Sequence, residues 1–267
     1  MRDYSRVGKN SSLPADRERR ILDRLSRDGQ VNSTVLAEEF STSEDTIRRD
    51  LRELAARGLC QRVYGGAVVT STASTPIAVR VGESNNRKEA LGRTLGTLLR
   101  PKQFVYIDAG STNLAFARML SHDLPLTVAT HDPAIAACVM GKTAIKLLLI
   151  GGSVNREVGA ALGGRAMREV AGMRPDLLVL GLCSIHANEG LGAFDAEDAE
   201  MKSALIATAG SVAVAVLNEK LDSVAAHKVS EIDSISDVVV EADAPPSATT
   251  ALSEKGLRLH KAAPATH

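Results

Sequence analysis

Residues 31–67 read VNSTVLAEEFSTSEDTIRRDLRELAARGLCQRVYGGA. Leu36 and Phe40 fall on one side of a short helix. Ser41-Thr42-Ser43-Glu44 then has the form of a capping box, a hydroxyl cap ahead of a helical run. In that run Ile47, Leu51 and Leu54 recur at spacings of four and three, which predicts one buried stripe ending at Arg57-Gly58. Leu59–Tyr64 alternates like a strand, and Gly65-Gly66 turns it back into Ala67-Val68-Val69. Upstream, Ile21, Leu22 and Leu25 predict a further helix over 16–27, closed by Asp28-Gly29. Three short helices followed by a hairpin describe a winged helix-turn-helix.

In such a module the second motif helix presents its N-terminal part to the major groove. Ser43, Thr46, Arg48 and Arg49 lie on or beside its exposed side. A Thr methyl or hydroxyl can meet a thymine or a phosphate, and Arg can pair with guanine or hold phosphate. Arg62, Tyr64, Gly65 and Gly66 on the hairpin suit contact with a phosphate or the minor groove. The plainer reading makes Arg48 and Arg49 a solvated face, with Asp50 and Glu53 as local salt partners.

The segment resembles the helix-turn-helix domain of the DeoR family of bacterial transcriptional regulators. The carriers are Leu36-Ala37-Glu38-Glu39-Phe40, Thr46–Leu51 (TIRRDL) and Arg62-Val63-Tyr64-Gly65-Gly66-Ala67. The resemblance implies a helix-turn-helix proper over Val31–Asp50 and double-stranded operator DNA as partner. Tyr64 stands where the family usually has His.

Beyond Thr70 the rhythm changes. A Ser/Thr run closed by Pro76 reads as a linker over 70–82. Short apolar strands then alternate with helices: strands 104–107, 126–129, 145–150, 177–180, 212–217, 238–240 and 257–260, and helices 84–99, 112–120, 133–140, 165–171, 196–209 and 247–255. Such alternation predicts a mostly parallel sheet covered on both faces. The fold class is therefore α/β. The expected domains are a flexible arm (1–15), the winged helix-turn-helix (16–69), the linker, an effector-sensing α/β domain (83–260) and a tail (261–267).

Phe104–Ile107 runs into Asp108-Ala109-Gly110-Ser111-Thr112-Asn113, a strand end, a glycine, two hydroxyls and a helix start. Free N–H groups and the helix dipole favour an anion there, and ligands of open α/β sheets bind at strand carboxyl ends. An ordinary helix cap is the plainer alternative. Thr130-His131, Gly151-Gly152 and Gly181–Ser184 follow other strands and gather at the same edge. Read alone, His131 is a satisfied loop histidine. Lys202 either reaches this rim or is solvated.

This half resembles the sensing domain of the DeoR family, similar in fold to ribose-5-phosphate isomerase and related sugar-phosphate enzymes. Asp108–Thr112, Gly151-Gly152, the Gly190-Leu191 turn and Lys202 carry the resemblance. It implies a phosphorylated sugar or polyol effector, with Asp108, Gly110, Ser111, Thr112, Asn113, Thr130, His131, Gly151, Gly152 and Lys202 as binding residues, and release of a repressor from its operator. Departures are Cys183 for an Asp in a G-x-D-G-I pattern, Leu217-Asn218-Glu219 where an Asp precedes Lys220, and Thr130-His131-Asp132 for T-N-S. The changed carboxylates also disfavour the alternative, an isomerase-like enzyme with an appended DNA-binding domain. No catalytic residue is assigned.

Composition bounds these readings. The chain has 267 residues, 44% hydrophobic and 24% charged, which excludes a disordered or collagenous chain. Lys+Arg and Asp+Glu are both 32, and residues 1–70 carry 13 basic and 11 acidic groups, so DNA binding rests on where the arginines sit. Cys60, Cys138 and Cys183 form no CxxC, so neither a disulfide framework nor a zinc site is expected, and no cofactor. No apolar run has membrane length and no secretory signal is seen. The expectation is a cytoplasmic homo-oligomer.

Overall fold

The computed structural model describes residues 14–28, 30–57, 59–63, 65–69 and 75–265. The chain divides into two compact units, Met1–Thr70 and Ser71–His267. In the first, the order is helix α1 (Pro14–Asp28), strand β1 (Gln30–Asn32), helices α2 (Ser33–Glu39) and α3 (Glu44–Ala56), then strands β2 (Cys60–Val63) and β3 (Gly66–Val69). The expected hairpin is antiparallel β2–β3, with Arg62 opposite Ala67, and β1 joins as a third strand along β3. Three residues were too few to register as a strand in sequence. Asn32 caps α2 and Ser43 caps α3. Ile47, Leu51 and Leu54 meet Ile21, Leu25, Leu36 and Phe40 in one core.

The second unit opens with α4 (Ile77–Arg80) and α5 (Asn85–Gly96). Residues 75–82 are thus not a free linker. The Ile77 N–H donates to Glu157 O at 3.0 Å, and Lys88 Nζ donates to the carbonyls of Arg80 and Glu83. Ser/Thr/Pro chemistry marks the break in periodicity but not the docking.

Then follow β4 (Phe104–Ile107), α6 (Ser111–Met119), β5 (Leu126–Thr130), α7 (Pro133–Met140), β6 (Ile145–Leu149), β7 (Ser153–Asn155), β8 (Ala160–Leu162), α8 (Gly164–Ala171) and β9 (Leu177–Leu180). The chain continues through β10 (Ser184–His186), β11 (Gly190–Ala193), α9 (Ala196–Thr208), β12 (Val212–Val216), β13 (His227–Ser230), β14 (Asp237–Val240), α10 (Pro246–Glu254) and β15 (Arg258–Lys261). Seven strands form one wholly parallel sheet in the order β15-β14-β12-β9-β4-β5-β6. Alternate side chains feed two cores. Tyr106, Leu178 and Val214 face one side, Val105, Val179 and Ala213 the other, which is why these strands read as unbroken apolar runs.

Two antiparallel additions, β10-β11-β13 and β7-β8, lie outside the predicted pattern. Their strands have only three or four residues, and all but β8 carry glycine or polar positions. Lys261 belongs to β15 and Ala262 is buried, its N–H bonded to Val240 O at 2.8 Å, so the tail starts later than expected.

Candidate functional site

In the first unit, Ser43 Oγ caps α3 by accepting the Thr46 N–H at 3.2 Å, and it lies 2.9 Å from Thr46 Oγ1. Arg48 and Arg49 are both exposed. They differ in company. Arg48 pairs with Glu44 at 2.6 Å and Asp45 at 3.5 Å, whereas Arg49 has no carboxylate partner among the described residues. Asp50, expected as a surface partner, is buried and pairs with Arg17 of α1 at 2.5 Å, so it ties α1 to the recognition helix. Arg62 and Gly65 are exposed, Gly66 is buried, and Tyr64 lies outside the described residues.

In the second unit, β4 and β9 deliver their carboxyl ends side by side. A cavity of about 260 Å³ opens there, lined among others by Gly110, Ser111, Thr112, Gly181, Cys183, Lys202 and Lys220. Gly110 has φ +142°, a conformation that favours glycine, and turns the chain into α6. At Gly181 a Cβ would stand 2.1 Å from Ala109 O, so only glycine lets the two strand ends approach. No side chain caps α6, and the N–H groups of Ser111, Thr112 and Asn113 have no protein acceptor among the described residues. Thr112 Oγ1 is buried on the cavity wall with no hydrogen-bond partner among the described residues.

The remaining expected residues divide. Asp108 is fully buried beneath the cavity, accepting the Gly181 N–H at 2.8 Å and facing Lys202 Nζ at 3.0 Å. Asn113 Nδ2 donates to Asp108 O and Val179 O, pinning β4 to β9. Thr130 and His131 are fully buried and do not line the cavity. His131 Nδ1 pairs with Tyr106 Oη at 2.9 Å, and its Nε2 stands 3.6 Å from Asp108 Oδ1, both atoms unsatisfied. Burial, reinforced by the Lys202 charge, pushes the His131 pKa down to about 3, so the ring is neutral near pH 7. Gly151 and Gly152 also lie off the cavity.

Lys202 is neither a solvated group nor a spare charge. It is buried between Asp108 and Asp198, 2.5 Å from the latter. Burial alone would lower its pKa, but the two carboxylates hold it above the usual lysine range.

Lys220, which served only as a landmark in the sequence, has no carboxylate partner among the described residues. It is buried, lines the cavity and donates to Leu182 O at 2.6 Å. Burial pushes its pKa down to about 8, with Arg80 and Lys88 adding to the effect. The available signal was its place just after β12, at the same carboxyl edge as Gly110. Arg80, inside the expected linker, also lines the cavity and had no such signal.

Comparison with known proteins places both halves. Residues 17–73 match the model of the DeoR-like helix-turn-helix domain, and residues 83–242 that of the DeoR C-terminal sensor domain. The chain belongs to the DeoR family. It is similar to the glycerol-3-phosphate regulon repressor of Escherichia coli K12, at 28% identity over 90% of this chain and 95% of that one. It is also similar to the HTH-type transcriptional regulator GlpR of Haloferax volcanii, at 31% identity over 78% and 82%. Ribose 5-phosphate isomerase A from Neisseria gonorrhoeae aligns with 51% of this chain and 53% of its own, at 9% identity and a TM-score of 0.38. The family assigns DNA binding to the first unit and small-molecule sensing to the second. These relatives are named as transcriptional regulators and not as enzymes. No helix among the described residues is long and apolar enough to cross a membrane.

Proposed function

We propose that this DeoR-family regulator is a repressor whose operator affinity falls when a phosphorylated sugar or polyol enters the cavity at the start of α6. The observation that carries the reading is the pairing of an uncapped helix N-terminus with a cation the protein does not neutralise. Ser111, Thr112 and Asn113 offer N–H groups and Thr112 an idle hydroxyl, while Lys220 brings charge without a carboxylate partner among the described residues. A phosphate dianion at such a helix end gains charge-assisted hydrogen bonds that a neutral polyol lacks. Lys202, with its two carboxylates, organises the floor instead of holding the anion.

Calorimetry of phosphosugars and their unphosphorylated parents tests this reading. The phosphates bind and release DNA, the parents do neither, and Ser111→Leu/Thr112→Val keeps DNA binding while abolishing the response. Equal binding of a neutral parent would refute it.

A homo-oligomer belongs to the same proposal, because two half-sites supply affinity that one helix-turn-helix lacks. Edge strand β6 supports a sensor-domain interface: Leu149 and the preceding Met140 are 55% and 75% exposed. Sedimentation should show at least a dimer, and Leu149→Lys/Met140→Lys should shift it toward monomer.

A further inference from the structure

Arg80 sits where the sensor unit begins. The unit boundary falls after Thr70, and the docked segment 75–80 is the first described stretch beyond it. Three contacts fasten that segment. The Ile77 N–H bonds Glu157 O, Lys88 Nζ holds the carbonyls of Arg80 and Glu83, and the Ile77 side chain fills the space over Gly159. A Cβ at Gly159 would come within 2.8 Å of Ile77 Cγ2, so the glycine makes room for the isoleucine.

The guanidinium is half committed. Arg80 Nε donates to Thr75 O at 2.8 Å, inside its own segment. Its terminal nitrogens have no acceptor among the described residues, and the side chain lines the cavity. It also lines a small recess shared with Ser111, Lys88 and Lys220. Ser111 and Lys220 therefore belong to both spaces, and Arg80 stands over the junction. Glu219 in the recess is paired with Arg87 at 2.7 Å. Glu157 on the cavity wall is exposed to solvent. Three cations thus surround the start of an uncapped helix, and one of them rides on the segment that leads in from the DNA-binding unit.

We infer that Arg80 is a ligand of the effector's phosphate and that, through it, occupancy of the cavity acts on the segment leading to the DNA-binding unit. The inference rests on the phosphorylated-effector reading. An anion on Ser111, Lys220 and Arg80 draws the terminal nitrogens toward α6, and the shift passes along residues 75–80 toward Thr70. Release of DNA requires only that the phosphate bind more tightly to the chain in which that segment has moved.

The test uses the full chain and a DNA duplex selected by the wild type from a random pool. Inorganic phosphate, glycerol phosphate and a set of aldose and ketose phosphates are titrated into wild type, Arg80→Gln, Arg80→Lys and Lys220→Gln. Arg80→Gln should bind the duplex within about twofold of wild type and the best probe about tenfold more weakly, as for loss of a charge-assisted pair. At saturating probe its release of DNA should remain incomplete, and Arg80→Lys should recover part of both losses. Wild-type probe affinity in Arg80→Gln, with Lys220→Gln impaired, overturns the inference and leaves the effector reading standing. Full release of DNA by saturated Arg80→Gln overturns the coupling through this segment. A wild type that binds none of the phosphates overturns both readings.

Discussion

On α3 the side chains of Arg48 and Arg49 stand in solvent, while in the sensor unit the ammonium groups of Lys202 and Lys220 are buried. Both regions collect positive charge next to a helix N-terminal turn, and they hold it differently. The ion pair of Arg48 with Glu44 is a surface i,i+4 contact worth roughly 0.3–0.5 kcal/mol, which a DNA phosphate can displace. Lys202 is held between two buried carboxylates that need it as much as it needs them. A charge in water is available to a polyanion. A buried charge belongs to its partners unless a cavity reaches it, and of the two lysines Lys220 is the one without a carboxylate partner among the described residues.

The sharpest way to break this contrast is to remove Lys202. Lys202→Met leaves Asp108 and Asp198 buried without a counter-charge, and breaking a buried pair from one side costs about 3–5 kcal/mol. Urea denaturation should show that loss in the sensor unit. A cost below about 1 kcal/mol would mean that the ammonium is not structural.

Removing the exposed arginines should leave stability alone and act on DNA. Arg49→Ala should weaken binding to the selected duplex by roughly 1–3 kcal/mol. Arg48→Ala should cost less, because Arg48 must first give up Glu44 and Asp45. Gel shifts at two salt concentrations separate base from phosphate contact, since loss of a phosphate contact lowers the salt slope by about one. An Arg48 effect larger than that of Arg49 would show that the Glu44 pair orients the guanidinium for DNA and does not occupy it.

The same contrast explains what the sequence disclosed. The recognition helix and its cap lie within fourteen consecutive residues, Ser43–Ala56, so its cap, stripe and exposed arginines are written side by side. The parallel sheet is legible for a related reason, because each strand declares itself by its own apolar run. The cavity is not local. Arg80, Ser111, Gly181 and Lys220 come from four separate elements, and only the register of β4, β9 and β12 brings the last three together. Motif reading therefore reached the Gly110–Thr112 loop and Lys202, which line the cavity, and did not single out Arg80 or Lys220, which line it too. Lys202 has Asp198 four residues before it on α9, but Asp108 beside Lys202 and Leu182 O beside Lys220 are neighbours that only tertiary structure supplies. His131 and Thr130 are at a strand end, as expected, but they are fully buried and do not line the cavity.

Lys220 permits a test by pH. With a pKa near 8 in the unliganded protein, it is charged at pH 7 and loses its proton as pH rises through 8. Phosphate binding favours the charged form, so affinity should fall by about fivefold from pH 8 to pH 9. Lys220→Gln should bind weakly and show no such fall. Calorimetry across this window checks the sign, and affinity that is constant to pH 10 would remove Lys220 from the anion site.

The smallest expected effect belongs to the residue placed just beneath the cavity. His131 is neutral in the folded protein, with a pKa near 3 against about 6.5 for an unfolded chain. Between those values the unfolded chain binds the extra proton, so stability rises with pH up to about 6.5 and falls on acidification. From pH 7 to pH 5.5 this linkage costs about 1 kcal/mol. The groups around the ring are Tyr106 at Nδ1, Asp108 at 3.6 Å from Nε2, and the charges of Lys202 and Asp198. Because burial first and the Lys202 charge second keep the ring neutral, His131→Asn should flatten the stability profile across this interval. The wild-type profile should keep its slope, and DNA binding at pH 7 should not change. An equal slope in both proteins would mean that another group titrates there. A profile that steepens in the variant would mean that the ring is charged in the folded state and that Asp108, not Lys202, is its dominant neighbour.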